Sequence, residues 1–405
     1  MSLTTASHHD TLQAAPAAGR GQRPRIVLVG RHVAEVAPLL KRLIDLALRG
    51  LSAMYSRDAG LFVFCRRRAK REVICVGTSL RYSAIVLLGA RYLPEDAQRA
   101  ILGGQTASEF GARLLARAPN VTNLGDAALL VWAGAELGVE GFDSALTHFC
   151  ALLAQAPEGP TVEIAWALAA ALAAHRRCPS RRAAQVLAER LLRCWAAPTG
   201  LFSHWTNPIR APWYRRHAAC FADQVYSIQA LARFHATFDC QAALDAAAAC
   251  ALRLVALQGS GGQWWWQYDW RTGSVLEEYP VYTVHQDAMA PMALFDLLGA
   301  GGPDLTFAIG RGLLWLLHPP KVNEELIADD LALVWRSVRR PDPWKSVRRL
   351  RALTTALRSG VRFGALDRVF PPRRVDHEDR PYHLGWILYA WLPPQLWPHT
   401  QRPSG

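Results

Sequence analysis

The apolar positions of this chain fall into two alternating kinds of segment. Near residues 34–48, 107–117, 142–155, 181–195, 242–257 and 303–317, apolar residues recur at three- and four-residue steps beside Arg, Lys or Glu, which predicts helices with one buried face. Between them lie segments apolar on nearly every side: YSAIVLLGA at 82, GDAALLVWAGAEL at 125, VEIAWALAAALAA at 162, ADQVYSIQALARF at 222, YTVHQDAMAPMALFDLL at 282 and YHLGWILYAWL at 382. A helix without a polar face is one packed inside the protein. The alternation therefore predicts an all-α protein with an inner ring of helices inside an outer ring. RIVLVG at 25, LFVFC at 61 and REVICVG at 71 read as strands, too few to organise the fold. A weak repeat accompanies the helices: GLF at 60, GLFSHW at 200 and GGQWWW at 261 each stand about twenty residues ahead of an inner segment.

About six such pairs resemble the (α/α)6 toroid, or six-hairpin, superfamily, over roughly residues 30–395. That group includes glycoside hydrolases, polysaccharide lyases and sugar epimerases, with terpenoid cyclases as relatives of related barrel. Within it, GGQWWWQYD followed by EEYP and a helix ending in ALFDLL is similar to the C-terminal catalytic region of the glucuronyl C5-epimerases; the helix departs from that pattern in carrying HQDAMAP. Asp329 and Asp330 do not form the D-x-D-D motif of the terpenoid cyclases.

The chain of 405 residues is expected to form a single toroid domain over 25–395, with a basic loop and helix inserted at 338–380 and tails at 1–24 and 396–405. The first tail lacks the basic start and apolar run of a secretory signal, which points to a disordered, cytoplasmic segment. Eight cysteines are scattered without a C-x-x-C pair and read as reduced structural thiols. Net charge is +13, and arginines crowd the region from Arg336 to Arg374. That asymmetry suggests an acidic glycan or glycolipid partner, or a membrane surface or glycosyltransferase docked through 336–374, against the alternative of a solvated basic face. Trp344, Val347, Leu350 and Leu353 between the arginines suit a helix lying on such a surface. No nucleotide, zinc or serine-hydrolase motif is present, and no cofactor, metal or nucleic acid is expected.

Candidate chemistry concentrates where loops enter inner helices. Arg81, Tyr82, Asp126, Glu163, Asp223, Tyr226, Tyr382 and His383 stand at those starts, although an acid there also serves as a helix cap. Tyr282, His285, Gln286 and Met289 share one face if the segment is helical, with Asp287 off that face and Pro291 freeing the carbonyl of Asp287. His285 or Tyr282 is the candidate base for removing the proton beside a uronate carboxylate, with Asp287 and Glu278 as further catalytic candidates. The bland alternative is a satisfied core histidine. Trp264, Trp266, Tyr268, Asp269 and Tyr279 would form an aromatic and acidic wall, Trp265 facing away if the run is extended; His204 and Arg215 would complete it. The leading expectation is lyase- or epimerase-like chemistry on an acidic glycan. Glycoside hydrolysis by two carboxylates among Asp126, Glu163, Asp223, Glu278 and Asp287, and noncatalytic glycan binding, are the alternatives.

Overall fold

In the computed structural model, residues 24–156, 158–342, 346–358, 360, 368–393 and 396 are described. The tail at 1–23, most of 396–405, and Trp344 lie outside them. Six helical pairs are present among the described residues. Outer helix α1 (Val36–Met54) leads to inner α2 (Leu80–Ala90), α3 (Ala107–Leu115) to α4 (Leu124–Leu137), and α5 (Phe142–Gln155) to α6 (Thr161–His175). Outer α7 (Arg181–Cys194) leads to inner α8 (Phe221–Phe238), α9 (Gln241–Ala256) to α10 (Ala290–Gly299), and α11 (Thr306–Leu317) to α13 (Pro381–Trp391), with α12 (Ser346–Leu357) in the last connection.

Burial explains the division. Outer α7 buries Ala184, Leu187, Ala188, Leu191 and Cys194, a single stripe, whereas inner α6 buries nearly every residue after Glu163. Each inner helix packs on the next, and α13 closes the ring against α2. Closure depends on two glycines. A methyl on Gly89 would lie 2.3 Å from the carbonyl oxygen of Gly385, and one on Gly385 would lie 2.8 Å from the Cα of Val86, so the two backbones touch. The structure is thus an (α/α)6 toroid, as the pattern predicts.

The repeated Gly-aromatic loops have one physical role. The backbone N–H of Phe62 is held by the hydroxyl of Ser83, that of Phe202 by the amide oxygen of Gln224, and that of Trp264 by the amide oxygen of Gln286, each at 2.8–2.9 Å. Gly60, Gly200 and Gly262, two residues before each aromatic, all have positive φ. The repeat pins the loops entering the first, fourth and fifth inner helices to the start of the segment that follows each.

LFVFC and REVICVG form a hairpin, β1 (Leu61–Ala69) and β2 (Glu72–Thr78). RIVLVG does not form a strand. It is the helix Arg25–Gly30, turned inward so that the Arg25 guanidinium donates to the carbonyl of Ala390 at 2.7 Å, a tertiary contact that six residues of periodicity cannot reveal. The other strands relevant here are β3 (Ala218–Cys220), β4 (Gln267–Asp269), β5 (Ser274–Glu277), β6 (Val281–Tyr282), β7 (Ser337–Arg339), β8 (Arg374–Asp376) and β9 (Glu378–Asp379). Among the described residues no helix is long and apolar enough to cross a membrane.

Candidate active site

The starts of the inner helices converge at one end of the ring, and Asn123 organises part of it. As the N-cap of α4, its side-chain oxygen accepts from the backbone N–H of Asp126 at 3.0 Å. The same oxygen accepts from the Arg81 guanidinium at 2.9 Å, while its amide donates to Glu163 at 3.0 Å. Arg81 also donates to the Asp126 carboxylate at 2.5 Å and lies over the Trp166 ring. Three adjacent inner helices thus bring a guanidinium and two carboxylates together. Arg81 and Asp126 keep 34% and 26% of their side chains exposed, so the group faces solvent.

A tyrosine-arginine cluster adjoins it, beginning at Tyr82, the chain neighbour of Arg81. The rings of Tyr82 and Tyr382 lie tilted with centroids 4.8 Å apart, and Arg380 donates to the Tyr82 hydroxyl at 2.9 Å. Arg380 and Arg336 both pair with Glu378, at 3.0 and 3.1 Å, and Arg336 lies over the Tyr282 ring. Burial raises the phenol of Tyr282 and pushes that of Tyr382 up to about 12, so both are neutral donors at ordinary pH. Tyr226 is also raised by burial, and its ring packs edge-on against Trp166.

Beside this cluster opens a cavity of about 410 Å³, lined among others by Trp266, Tyr279, Tyr282, Arg336, Arg339 and Arg348. Arg348 lies over Trp266 at 4.6 Å. Partial burial, then the nearby Arg215, lower its pKa. Helix α12 carries Arg348 and is anchored by Arg351, which pairs with the buried Glu277 at 3.1 Å. Val347, Arg351 and Thr355 turn inward, while Leu350 and Leu353 remain partly exposed. The Val347 side of this amphipathic helix therefore contacts protein and does not face a membrane.

Several expected residues lie behind the wall of this mouth. Tyr282 ends strand β6 and is not helical, and His285–Met289 forms a π-turn ahead of α10, so the proposed shared helical face does not exist. Gln286 is consumed in holding Trp264. Burial, reinforced by His383 and Arg336, depresses His285 to about 3, and its ring packs on Phe221. Asp287 is fully buried and accepts from His383 at 2.8 Å, and both pKa values are raised, Asp287 by burial and His383 by Asp287 against the opposing effect of burial. The Asp287 carbonyl freed by Pro291 accepts from the Trp391 indole at 2.6 Å. Trp264 and Tyr268 are core residues, and Asp269 is buried and paired with Arg271. Trp264 and Trp266 therefore do not share a wall; only Trp266 reaches the cavity. Tyr279 lines that cavity, while Glu278, half-buried, does not.

His204, Cys220 and Asp223 bring possible ligand atoms within 4.8 Å of one another. Asp223 already accepts from His204 at 2.9 Å and from the Cys220 backbone N–H at 2.7 Å. It raises the His204 pKa, while burial and Asp223 push the Cys220 thiol up, so the group is a hydrogen-bonded set with a protonated thiol. Exposed Arg215 stands on a short turn beside it. The sequence reading did not single out Asn123, Trp166, Asp376, Glu378 or Arg380, and it had Arg348 only as one of the crowded arginines; the visible signal was a capping Asn followed by an acid three residues on.

No family model matches the chain, and no curated protein matches it. Solved structures do. An unsaturated glucuronyl hydrolase specific for heparin superposes with TM-score 0.56 at 10% identity, covering 87% of this chain and 95% of that one. That likeness establishes the fold. A possible member of the GH105 family from Klebsiella pneumoniae gives 0.55 at 11% identity, over 97% and 98% of the two chains. The unsaturated glucuronyl hydrolase of Bacillus sp. GL1, responsible for degradation of glycosaminoglycan, gives 0.52 at 15%, over 90% and 100%.

Proposed function

We propose that the protein is a glycoside hydrolase acting on an acidic, uronate-containing oligosaccharide at the mouth of the toroid. The observation that carries this reading is the junction of Asp126 and Glu163 through Asn123 and Arg81, two part-exposed carboxyl groups connected to the aromatic, arginine-lined cavity through Tyr82, Arg380 and Glu378. Hydrolysis requires such a pair, one protonating the glycosidic oxygen and the other activating water or stabilising positive charge at the anomeric carbon. Asp126, ion-paired to Arg81, suits the ionised role, and Glu163 the proton donor. Asp223 and Asp287 are fully buried and already bonded, so they suit positioning. Trp266 offers a flat apolar face to a sugar ring, and Arg336 and Arg348 would neutralise its carboxylate.

Proton abstraction by His285 or Tyr282 has less support, because a base must reach its proton and His285 is only 5% exposed beneath Tyr282 and Phe221. The names of the similar structures make oligosaccharides ending in an unsaturated glucuronyl group the first substrates to test. Cleavage would remove the ultraviolet absorbance of the enoate and release a new reducing end. Asp126→Asn and Glu163→Gln should each lower kcat at least about a hundredfold with folding intact. Full activity in both variants would overturn the assignment.

A further inference from the structure

Three basic stretches far apart in sequence meet where two small sheets adjoin at the rim of the cavity, the chain passing from one sheet to the other between Asp376 and Glu378. In β8 and β9, Arg374, Asp376 and Glu378 stand at alternate positions, so their side chains share a face, and Asp376 and Glu378 line the cavity. Pairing with β7 sets Arg339 directly opposite Arg374, and pairing with β1 sets Arg67 directly opposite Glu378. Arg339 lines the cavity as well. The β1–β2 turn adds Lys70 and Arg71 beyond Arg67.

Two features separate this surface from an ordinary solvated face. First, Arg67, Lys70, Arg71 and Arg374 are exposed and have no carboxylate within ion-pair distance among the described residues, while Arg339 reaches Asp376 only at 3.8 Å. Second, like charges directly opposite across a strand pair are destabilising, and Arg339 faces Arg374 while the nearest carboxylate, Asp376, is shared between Arg336 and Arg339. A negatively charged ligand would relieve that repulsion. Continuity with the cavity decides its class: a chain whose terminal sugar occupies the pocket by Trp266 and Arg348 must leave across the surrounding rim, and a row of cations favours repeated negative charge along it.

We propose that this rim is a second binding track, on which successive acidic groups of a polyanionic glycan engage Arg339, Arg374 and Arg67, so that the preferred ligand is a long acidic chain and not a disaccharide. The inference rests on the glycan reading above, but its test needs no turnover. Heparin-derived disaccharide and decasaccharide are titrated into the full chain by calorimetry at low and moderate salt, beside the Arg67→Ser/Arg374→Ser double variant. Both positions are solvent-exposed, and unchanged circular dichroism and melting confirm that the variant folds. The decasaccharide should bind more tightly than the disaccharide, with the stronger salt dependence. The double variant should lose about tenfold in decasaccharide affinity, the sum expected for two exposed charge pairs, and leave disaccharide binding unchanged. Equal losses for both ligands, no loss for either, no binding of the decasaccharide at low salt, or equally tight binding of a single-stranded oligonucleotide of matched charge would overturn the proposal. Long-chain binding without hydrolysis would keep the track and remove the hydrolase reading.

Discussion

Removal of Asp296 tests how the ring is held at the end away from the mouth. Asp296, on α10, is 2% exposed and accepts from Gln229 at 2.9 Å and from Arg233 at 2.7 Å, both on α8, while Arg25 approaches to 3.6 Å. Arg233 also donates to the Tyr389 hydroxyl on α13, so one carboxylate partly compensates two buried guanidiniums and, through them, connects α10 to α8, α13 and the Arg25–Gly30 helix. Its charge offsets the desolvation that lowers the pKa of Arg25. Breaking a buried pair by deleting one partner leaves an uncompensated charge and costs about 3–5 kcal/mol. With an unfolding entropy of about 2.1 cal/mol/K per residue over roughly 360 residues, Asp296→Ala should lower Tm by about 4–7 °C. Asp296→Asn keeps the shape and an acceptor but not the charge, and should lose most of the same amount. Urea unfolding followed by tryptophan fluorescence, beside a thermal melt, reads both variants. A loss under about 1 kcal/mol in Asp296→Ala would refute the claim that this carboxylate compensates the buried cations.

Gly89→Ala should cost about 1–3 kcal/mol or more, read as a lower urea midpoint, because its methyl meets the backbone of Gly385 where the ring closes. Asp379 is fully buried and its pKa is pushed by burial from 3.8 to about 7. Its contribution is therefore complete below the unfolded value and lost as pH rises through about 7. Asp379→Asn should accordingly gain on the wild type in melts at about pH 8 more than at about pH 5. His285, depressed to about 3, should show imidazole NMR signals that do not titrate between about pH 5 and 8, in contrast to an ordinary histidine.

The architecture was legible because burial imposes periodicity: α6 reads as an inner helix from its composition alone, and α7 as an outer one from its stripe. Six residues at Arg25–Gly30 were too few for either period, and a contact to Ala390 decided their shape. The aromatic run at 262–298 attracted attention for its chemistry, yet Trp264, Tyr268, Gln286 and Asp287 are construction, buried and bonded within the wall. Arg81, Asp126 and Glu163 were visible as polar residues heading apolar helices. That Asn123 joins them could not be read, since helix starts about forty residues apart become neighbours only when the ring closes. The same holds for Arg339 and Arg374, set opposite each other by strand pairing, and for Arg67, set opposite Glu378.

Proton NMR of the protein with acidic oligosaccharides in D2O separates hydrolysis at the mouth from proton abstraction. Hydrolysis gives new reducing-end signals at the expense of the glycosidic linkage, with no deuterium entering C5 of the residual substrate and no new unsaturated sugar. Deuterium at C5, or accumulation of an unsaturated product from a saturated substrate, would contradict it and return the chemistry to proton abstraction.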